Sequence, residues 1–415
     1  MLLRPEAPAH GGAAIARSDQ KTYLVDYALP GELVEASPAE RRRGVVFARA
    51  ERILDASPHR VQAPCPHFGA CGGCQLQHAA YAYQLAWKRR VVEDAWRGAG
   101  LRLPPDAAVH GMEDPWRYRI RGEFEAVPER AAFRFGFHRI RSHDLLPIRT
   151  CPIHDLRIER ALEVFRAGIV RCRVDAVQNL QLTVEPNGRG LLWALRFRGG
   201  ARRLPEDFVQ EIAGRLPEVV LLEDSMTVDF WDLVFRVRSD TFVQTNYRQM
   251  LVLYRIALEM LQAGPGDAVL DLYAGIGTIS LAVARTAGSV TAVEANRSAA
   301  AMARVNMRIN AAENVHLLVG TVEKSLRQVR AGEHQAAILD PPRAGCEPAA
   351  IAELLRLGPD RLVYVSCEPS THARDIAALV RGGYRVRRAA VVDMFPQTYH
   401  IESVVLLERT PGSAR

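Results

Sequence analysis

The second half of the chain alternates short apolar runs with longer amphipathic stretches. The apolar runs that precede a helical pattern lie at 268–272, 290–293, 316–319, 336–339 and 362–365. Two more strand patterns, at 384–391 and 401–407, follow each other directly. Buried strands that alternate with helices are typical of a doubly wound parallel sheet. The pattern therefore predicts a seven-stranded α/β, Rossmann-like domain over residues 239–415.

The first 57 residues follow a different pattern, in which short β-rich runs are divided by glycine and proline turns. These runs lie at 22–25, 32–36 and 44–49. Short strands at such spacing predict a small β-barrel of the oligonucleotide-binding (OB) type over residues 1–57.

The stretch between these two parts combines helical and strand patterns. An apolar stripe at helical spacing consists of Tyr81, Leu85, Val92 and Trp96. This stripe predicts a helix, and Gly98 is its stop signal. Alternating positions such as those at 133–137 predict strands. We therefore expect an α+β central domain at 58–238.

Composition narrows the class of protein. The chain has 415 residues, 48% of them hydrophobic and 24% charged, which excludes a disordered or fibrous protein. Its net charge of +7 is compatible with a polyanionic partner. Only three of the 54 basic residues are lysines, so a general bias toward arginine explains part of this balance.

The sequence predicts a cytoplasmic protein. The first residues include Arg4 and Glu6 and lack an apolar core of signal-peptide length. The longest mainly apolar stretch without charge, at 272–284, has 13 residues and two glycines. It is too short to cross a bilayer, so we expect no membrane segment.

The first strand of the α/β domain leads into a glycine loop. Gly275 and Gly277 precede Thr278 at the start of a helix, and Glu294 ends the next strand 17 residues after Gly277. Glycines let a ligand approach the backbone, and a helix start offers free N–H groups. Ser280 replaces the third glycine of a dinucleotide fingerprint, which favours S-adenosylmethionine because that cofactor has no pyrophosphate. The alternative is a tight turn without a ligand. With S-adenosylmethionine as cofactor, the strand pattern suits a class I methyltransferase.

Two further motifs follow the next strands of the sheet. Asp340 begins an Asp-Pro-Pro-Arg motif that ends with Arg343, and Cys367 follows the strand after it. Open α/β sheets place their sites at the carboxyl ends of strands, so Cys367 should face the same cleft. Methyltransferases that act on exocyclic amines carry an aromatic residue where this chain has Arg343, so amine methylation is disfavoured. An isolated cysteine can instead be a small core residue.

A carboxylate marks the start of the last strand pattern. Alternation puts Glu402 on the same face as Val404 and Leu406, where burial should raise its pKa. Such a group suits a proton acceptor. The alternative is a structural acid paired with a nearby arginine.

Three cysteines cluster in the spacing C-x5-C-x2-C. They are Cys65, Cys71 and Cys74. A metal centre needs a fourth ligand, for which Cys151 is the natural candidate. Four thiolates suit an iron–sulfur cluster or zinc. The spacing is not that of radical enzymes, so a structural or RNA-positioning role is favoured.

These motifs resemble those of the RNA uracil-C5 methyltransferase family, which includes bacterial tRNA and 23S rRNA enzymes. The matching segments lie at 28–32, 65–78, 242–246, 394–396 and 400–402. The resemblance implies that 1–57 is a TRAM domain and that the four cysteines hold a [4Fe-4S] cluster. It also implies that Cys367 is the nucleophile and Glu402 the base. The cofactor or uracil contacts that it implies are Gln244, Tyr273, Thr278, Glu294 and Asp340. Glu368 stands where the family usually has asparagine, which puts the rate or local geometry in doubt.

The chemistry of uracil agrees with this resemblance, because C5 is a poor nucleophile until a group adds at C6. We expect Cys367 to add at C6, C5 to take the methyl group, and Glu402 to remove the C5 proton. Arg343 is placed to stabilise the enolate oxygen.

RNA is the expected partner, and no obligate protein partner is evident. The candidate phosphate contacts are the arginine run 41–43 and six arginines within 116–141 that alternate with aromatic residues. Strand alternation there predicts a basic face over an aromatic one, and a solvated loop is the alternative at 41–43. A uracil inside folded RNA would have to be flipped out.

The cysteine cluster favours 23S rRNA as the substrate, with tRNA as the alternative. Two other classes remain open: a non-catalytic RNA-binding or ribosome-assembly factor, and a protein or small-molecule methyltransferase. The barrel and the basic segment argue against the last of these.

Overall fold

The amino-terminal segment forms a mixed sheet of six strands. The structure, a computed structural model, describes residues 1–128 and 133–410. The strands are β1 (Leu2–Leu3), β2 (Ala7–Pro8), β3 (Ala14–Ser18), β4 (Lys21–Asp26), β5 (Leu33–Arg42) and β6 (Val45–Asp55). Their order is β1-β5-β6-β4-β3-β2, so the three predicted strands are confirmed as β4, β5 and β6. Within the described residues β1 and β2 do not pair with each other, and closure into a barrel stays a prediction.

The cysteine-rich segment, residues 65–78, leads into the helix α1 (Tyr81–Gly98) and the short strand β7 (Ala108–His110). The predicted helix is confirmed, with its end at Gly98. Its buried face carries two polar side chains, Gln84 and Lys88, beside apolar ones such as Trp87 and Trp96.

The central part contains a second six-stranded sheet flanked by two helices. In chain order its elements are β8 (Arg121–Pro128), β9 (Phe133–His138), β10 (Leu145–Pro147), α2 (Leu156–Arg171), β11 (Val177–Val184), β12 (Gly190–Phe197), α3 (Phe208–Arg215) and β13 (Val220–Leu222). The strand order is β10-β9-β8-β11-β12-β13. Phe124, Phe135, Phe165, Leu180 and Phe208 are buried together between the sheet and the helices. The predicted α+β character is therefore observed.

A hairpin and a helix connect this part to the last sheet. The hairpin consists of β14 (Ser225–Phe230) and β15 (Leu233–Arg238), and the helix is α4 (Tyr247–Leu261). Asn246 caps α4, because its side chain accepts a hydrogen bond from the Gln249 N–H.

The last sheet has the predicted α/β alternation. Its elements are β16 (Ala268–Leu272), α5 (Thr278–Ala284), β17 (Ser289–Glu294), α6 (Arg297–Ile309), β18 (Val315–Val319), α7 (Val322–Leu326), β19 (Ala336–Leu339), α8 (Pro348–Leu357), β20 (Arg361–Ser366), α9 (Pro369–Arg381), β21 (Tyr384–Val392) and β22 (Glu402–Arg409). The order is β18-β17-β16-β19-β20-β22-β21-β7, with β22 antiparallel to both of its neighbours. This is the Rossmann-like arrangement that the sequence predicts.

The structure adds an eighth strand to the seven predicted ones. β7, which lies within the predicted central domain 58–238, pairs in parallel with β21. α1 from the same stretch packs against α9 and β2. The start of that stretch is thus joined to the first and last sheets, and the domain limits stay predictions. Within 1–128 and 133–410, no helix has the length and apolar character needed to cross a membrane.

Candidate active site

The glycine loop between β16 and α5 has an unusual backbone. Tyr273, Gly275 and Gly277 all have positive φ, of 67°, 59° and 88°. A side chain at Gly275 would point into open space, since no atom lies within 4 Å of its Cβ position. The Glu294 carboxylate accepts hydrogen bonds from the N–H groups of Gly275 at 2.8 Å and Asn296 at 2.6 Å. The Glu294 side chain therefore fixes the backbone of this loop.

Five of the seven predicted cofactor residues line one pocket next to this loop. They are Gln244, Tyr273, Gly275, Thr278 and Asp340. The other two are not among its lining residues. Gly277 is the N-cap of α5, and the Glu294 carboxylate accepts the Gly275 N–H of the loop. Phe242 stands at the pocket with 73% of its surface exposed.

Sequence reasoning missed a buried acid in this pocket. Asp271, near the end of β16, accepts a hydrogen bond from the Ser280 hydroxyl, and burial raises its pKa to about 7. Burial likewise raises the pKa of Asp340 to about 7. S-Adenosylmethionine carries a sulfonium and an ammonium group, and their positive charge suits such carboxylates. The residues present fit this cofactor.

The two predicted catalytic groups lie at one end of the same strand pair. Cys367 follows β20 and Glu402 begins β22, and the antiparallel register pairs Ser366 with Ser403. Continuing this register puts Cys367 opposite Glu402. Burial and the charges of Glu402 and Asp340 together raise the pKa of Cys367 to about 12, whereas Arg343 acts to lower it.

Glu402 is a buried carboxyl group, with 4% of its surface exposed. Burial and then Asp340 raise its pKa well above the usual value, and Arg343 opposes them. In the described part of the chain no arginine or lysine forms an ion pair with Glu402. This argues against a structural acid paired with an arginine.

Arg343 contacts a histidine beside the two catalytic candidates. Its guanidinium donates to His400 Nδ1 at 3.1 Å. Burial and the charge of Arg343 lower the pKa of His400 to about 3, so the ring is neutral and accepts this hydrogen bond. Arg343 itself is exposed.

Glu368 points away from the candidate nucleophile. Its carboxylate accepts a hydrogen bond from the Ser370 hydroxyl at 2.9 Å and lies 3.6 Å from His10 Nδ1. The charges that raise the pKa of Cys367 belong to Glu402 and Asp340. The departure from the family pattern at 368 therefore creates a contact with the amino-terminal part, which sequence reasoning did not foresee.

The four predicted ligand cysteines line one cavity of about 500 Å³. They are Cys65, Cys71, Cys74 and Cys151. Burial, with smaller effects of neighbouring cysteines, raises the pKa of Cys74 and of Cys151 to about 12. Among the described residues no set of three or more Cys, His, Asp or Glu side chains has the spacing of a metal site. The structure thus brings the four predicted ligands to one cavity, and their role as metal ligands stays a prediction.

The predicted basic strand face at 116–141 is wrong. Residues 129–132 lie outside the described part, and only Arg121 and Arg134 of the six arginines fall on strands. The Arg121 guanidinium donates to the Thr241 and Ser239 carbonyls, and Arg141 pairs with Asp26. Arg119 is in a loop held by isolated bridges to His154 and Asn246. These arginines therefore hold parts of the chain together.

Fold and site together define an S-adenosylmethionine-dependent methyltransferase of the Rossmann-like class. The family model described as tRNA (Uracil-5-)-methyltransferase matches residues 218–410. An uncharacterized RNA methyltransferase of Halalkalibacterium halodurans is 34% identical, with 96% of this chain and 94% of that protein covered. The 23S rRNA (uracil(1939)-C(5))-methyltransferase RlmD of Aromatoleum aromaticum is 33% identical, with coverage of 97% and 98%.

A solved structure has a similar fold over nearly the full length of this chain. The tRNA (uracil-54, C5)-methyltransferase of Pyrococcus abyssi, bound to S-adenosyl-L-homocysteine, matches with a TM-score of 0.76 and 22% identity, over 98% of this chain and 100% of that one. The chain belongs to the RNA (uracil-5-)-methyltransferase family. The predicted family and reaction class, S-adenosylmethionine-dependent methylation of uracil C5 in RNA, are thereby confirmed.

Proposed function

We propose that this enzyme methylates C5 of a uridine in 23S rRNA, with Cys367 as the nucleophile and Glu402 as the base. The observation that carries the proposal is the Ser366–Ser403 register, which brings a cysteine and a buried carboxyl group together at one edge of the sheet. Asp340 belongs to the cofactor pocket and also acts on the pKa of both groups.

The proposed reaction has three steps. The Cys367 thiolate adds to C6, which breaks the C5–C6 double bond and leaves an enolate with a nucleophilic C5. C5 takes the methyl group as the sulfur–methyl bond of S-adenosylmethionine breaks, which leaves S-adenosylhomocysteine. Glu402 then removes the C5 proton, the double bond forms again, and the sulfur–C6 bond breaks.

The charges around the two proposed catalytic groups support these roles. Besides burial, Asp340 raises the pKa of both Cys367 and Glu402, and Arg343 lowers both. We propose that Arg343 stabilises the thiolate and then the enolate oxygen, because both carry negative charge. His400 orients its guanidinium.

For the cofactor, we propose binding by Gln244, Tyr273, Thr278 and Asp340, with Gly275 and Gly277 giving access to the backbone. Glu294 would act by fixing the glycine loop, since its carboxylate accepts the Gly275 N–H.

The two other predicted parts remain proposals. The shared cavity of Cys65, Cys71, Cys74 and Cys151 supports a [4Fe-4S] cluster, with zinc as the alternative. The six-stranded sheet of β1 to β6 and its exposed arginines at 41–43 support a TRAM-type RNA-binding module over 1–57.

The substrate proposal rests on the relative named for 23S rRNA and on the cysteines. The second candidate is tRNA, because the matching family model and the solved neighbour carry tRNA in their names.

Mapping of 5-methyluridine by mass spectrometry, in cells with and without the gene, tests the proposal. We expect loss from 23S rRNA, restored by the wild-type gene and not by Cys367→Ala. Loss of 5-methyluridine from tRNA alone would show that tRNA, and not 23S rRNA, is the substrate. Full restoration by Cys367→Ala would contradict the mechanism.

A further inference from the structure

The loop that leads to Glu402 is held by the cysteine-rich segment. Gln397, in the middle of this 393–400 loop, is 2% exposed and has φ of 71°, a conformation that residues other than glycine seldom adopt. Its carbonyl accepts hydrogen bonds from the N–H groups of Gln75 at 3.1 Å and Leu76 at 3.0 Å. Gln75 directly follows Cys74.

The Gln75 side chain makes a second connection. Its Nε2 donates to the Gly72 carbonyl at 2.8 Å, and its Oε1 accepts the Tyr399 N–H at 3.4 Å. Gly72 lies between Cys71 and Cys74, whereas Tyr399 precedes His400, the partner of Arg343. The Gln75 side chain thus links the backbone of the cysteine-rich segment to Tyr399, next to His400.

Helix α1 holds the same loop from the other side. Gln84 Nε2 donates to Gln397 Oε1 at 2.9 Å, and Gln84 Oε1 accepts the Gln397 N–H at 3.0 Å. One turn later, Lys88 Nζ donates to Asp393 Oδ1 at 2.5 Å and to the Phe395 carbonyl at 3.0 Å. Gln84 and Lys88 are both buried, so these contacts are shielded from water.

We propose that the cysteine-rich segment and α1 position the 393–400 loop, and through it Glu402 and His400, for methyl transfer. Gln75 and Gln84 are positioning residues, and a cluster held by the cysteines acts on catalysis by fixing the backbone of 71–76. The proposal rests on the proposed roles of Glu402 and of the four cysteines.

The first test compares Gln84→Met with Gln335→Met. Gln335 makes a comparable side-chain contact at the amino end of the sheet, where its Oε1 accepts the Ala268 N–H at 2.9 Å, far along β16 from the site. We expect Gln84→Met to lower kcat about tenfold, because small displacements of catalytic groups are costly. The KM for S-adenosylmethionine should stay within twofold, and backbone amides of 393–402 should exchange hydrogen faster.

A kcat equal to that of Gln335→Met, or unchanged exchange in 393–402, would overturn the proposal. If Gln84→Met does not fold, Gln75→Met tests the same proposal. We expect it also to lower kcat and to leave the KM for S-adenosylmethionine within twofold. Cys367→Ala serves as the reference for failure of the proposed nucleophile, since that failure would leave the exchange of 393–402 unaffected.

The second test addresses the cluster through hydrogen exchange rather than activity. Removal of iron with a chelator should speed the exchange of amides in 71–76 and 393–402, and anaerobic reconstitution with iron and sulfide should reverse this. Equal exchange in the iron-free and reconstituted proteins would overturn the coupling. A protein that takes up no iron would remove the cluster from the proposal while the Gln84 and Gln75 variants still decide the positioning role.

Discussion

At the scale of single residues, the site groups three acidic side chains, Cys367, Glu402 and Asp340, with one cation, Arg343. The pKa of Cys367 and that of Glu402 are both raised by burial and by Asp340, and Arg343 lowers both. The sequence identified these four residues, because each follows or begins a strand at the same edge of the sheet. It did not predict His10 beside Glu368, since that contact joins positions that only the tertiary fold brings together.

Arg343→Gln tests the effect of this cation. Removing the guanidinium takes away the interaction that lowers the pKa of Cys367 and Glu402, so both pKa values should rise. Cys367 must be a thiolate to add at C6, and Glu402 must be ionised to accept the C5 proton. The rise of kcat/KM with pH should therefore move to higher pH. The measurement is the pH profile of kcat/KM with an RNA substrate.

The matched control is Arg387→Gln, because Arg387 pairs with Glu408 on the exposed side of β21. Its profile should equal that of the wild type. An Arg343→Gln profile that is lowered equally at every pH would mean that Arg343 does not act through the pKa of Cys367 and Glu402.

At the scale of elements, buried parallel strands were the easiest part to predict. β16 and β19 lie at the predicted positions 268–272 and 336–339, because strands covered on both faces carry continuous apolar runs. β7 was missed, since its three residues have no such run and its partner β21 lies far along the chain. The arginines around residue 119 were misassigned for a similar reason: their partners are carbonyls of distant segments, which alternation along the sequence does not reveal.

Gly277→Ala tests the turn between β16 and α5. At φ of 88° an alanine is strained, although its Cβ has room, 3.7 Å from that of Ala303. We expect a loss of about 1 kcal/mol in the free energy of unfolding and weaker S-adenosylmethionine binding. Urea denaturation and calorimetric titration measure the two effects.

Gly214→Ala is the control, because Gly214 lies in helix α3 with open space around it. Alanine there should stabilise the protein by about 0.5 to 1 kcal/mol. Equal effects of the two substitutions would contradict the account of the glycine loop.

At the scale of the whole molecule, polar contacts of α1 join the amino-terminal sheet to the loop between β21 and β22 of the last sheet. Lys88 and Asp393 form an ion pair with 1% and 0% of their side chains exposed, and they are 305 residues apart in the chain. Trp87 on the same helix donates to the Ala9 carbonyl at 3.3 Å, next to His10. The amino-terminal sheet and the active-site loop are thus held by one helix.

Lys88→Met should destabilise the protein by about 3–5 kcal/mol, because it leaves the Asp393 carboxylate buried without its partner. The double variant Lys88→Met/Asp393→Asn should recover most of this loss, since it removes the unpaired charge. Urea denaturation of the wild type and of the three variants, including Asp393→Asn, gives the coupling between the two residues. Additive losses would mean that the pair does not act as a unit.

The central claim is that Cys367 adds to the uracil ring and that Glu402 then removes the C5 proton. A substrate RNA with 5-fluorouridine at the target position tests it most directly, because fluorine leaves no proton at C5 to remove. After incubation with S-adenosylmethionine and digestion, mass spectrometry should find a methylated fluorouridine joined to the peptide that contains Cys367. An adduct on another residue, or none under conditions in which ordinary RNA is methylated, would contradict the claim.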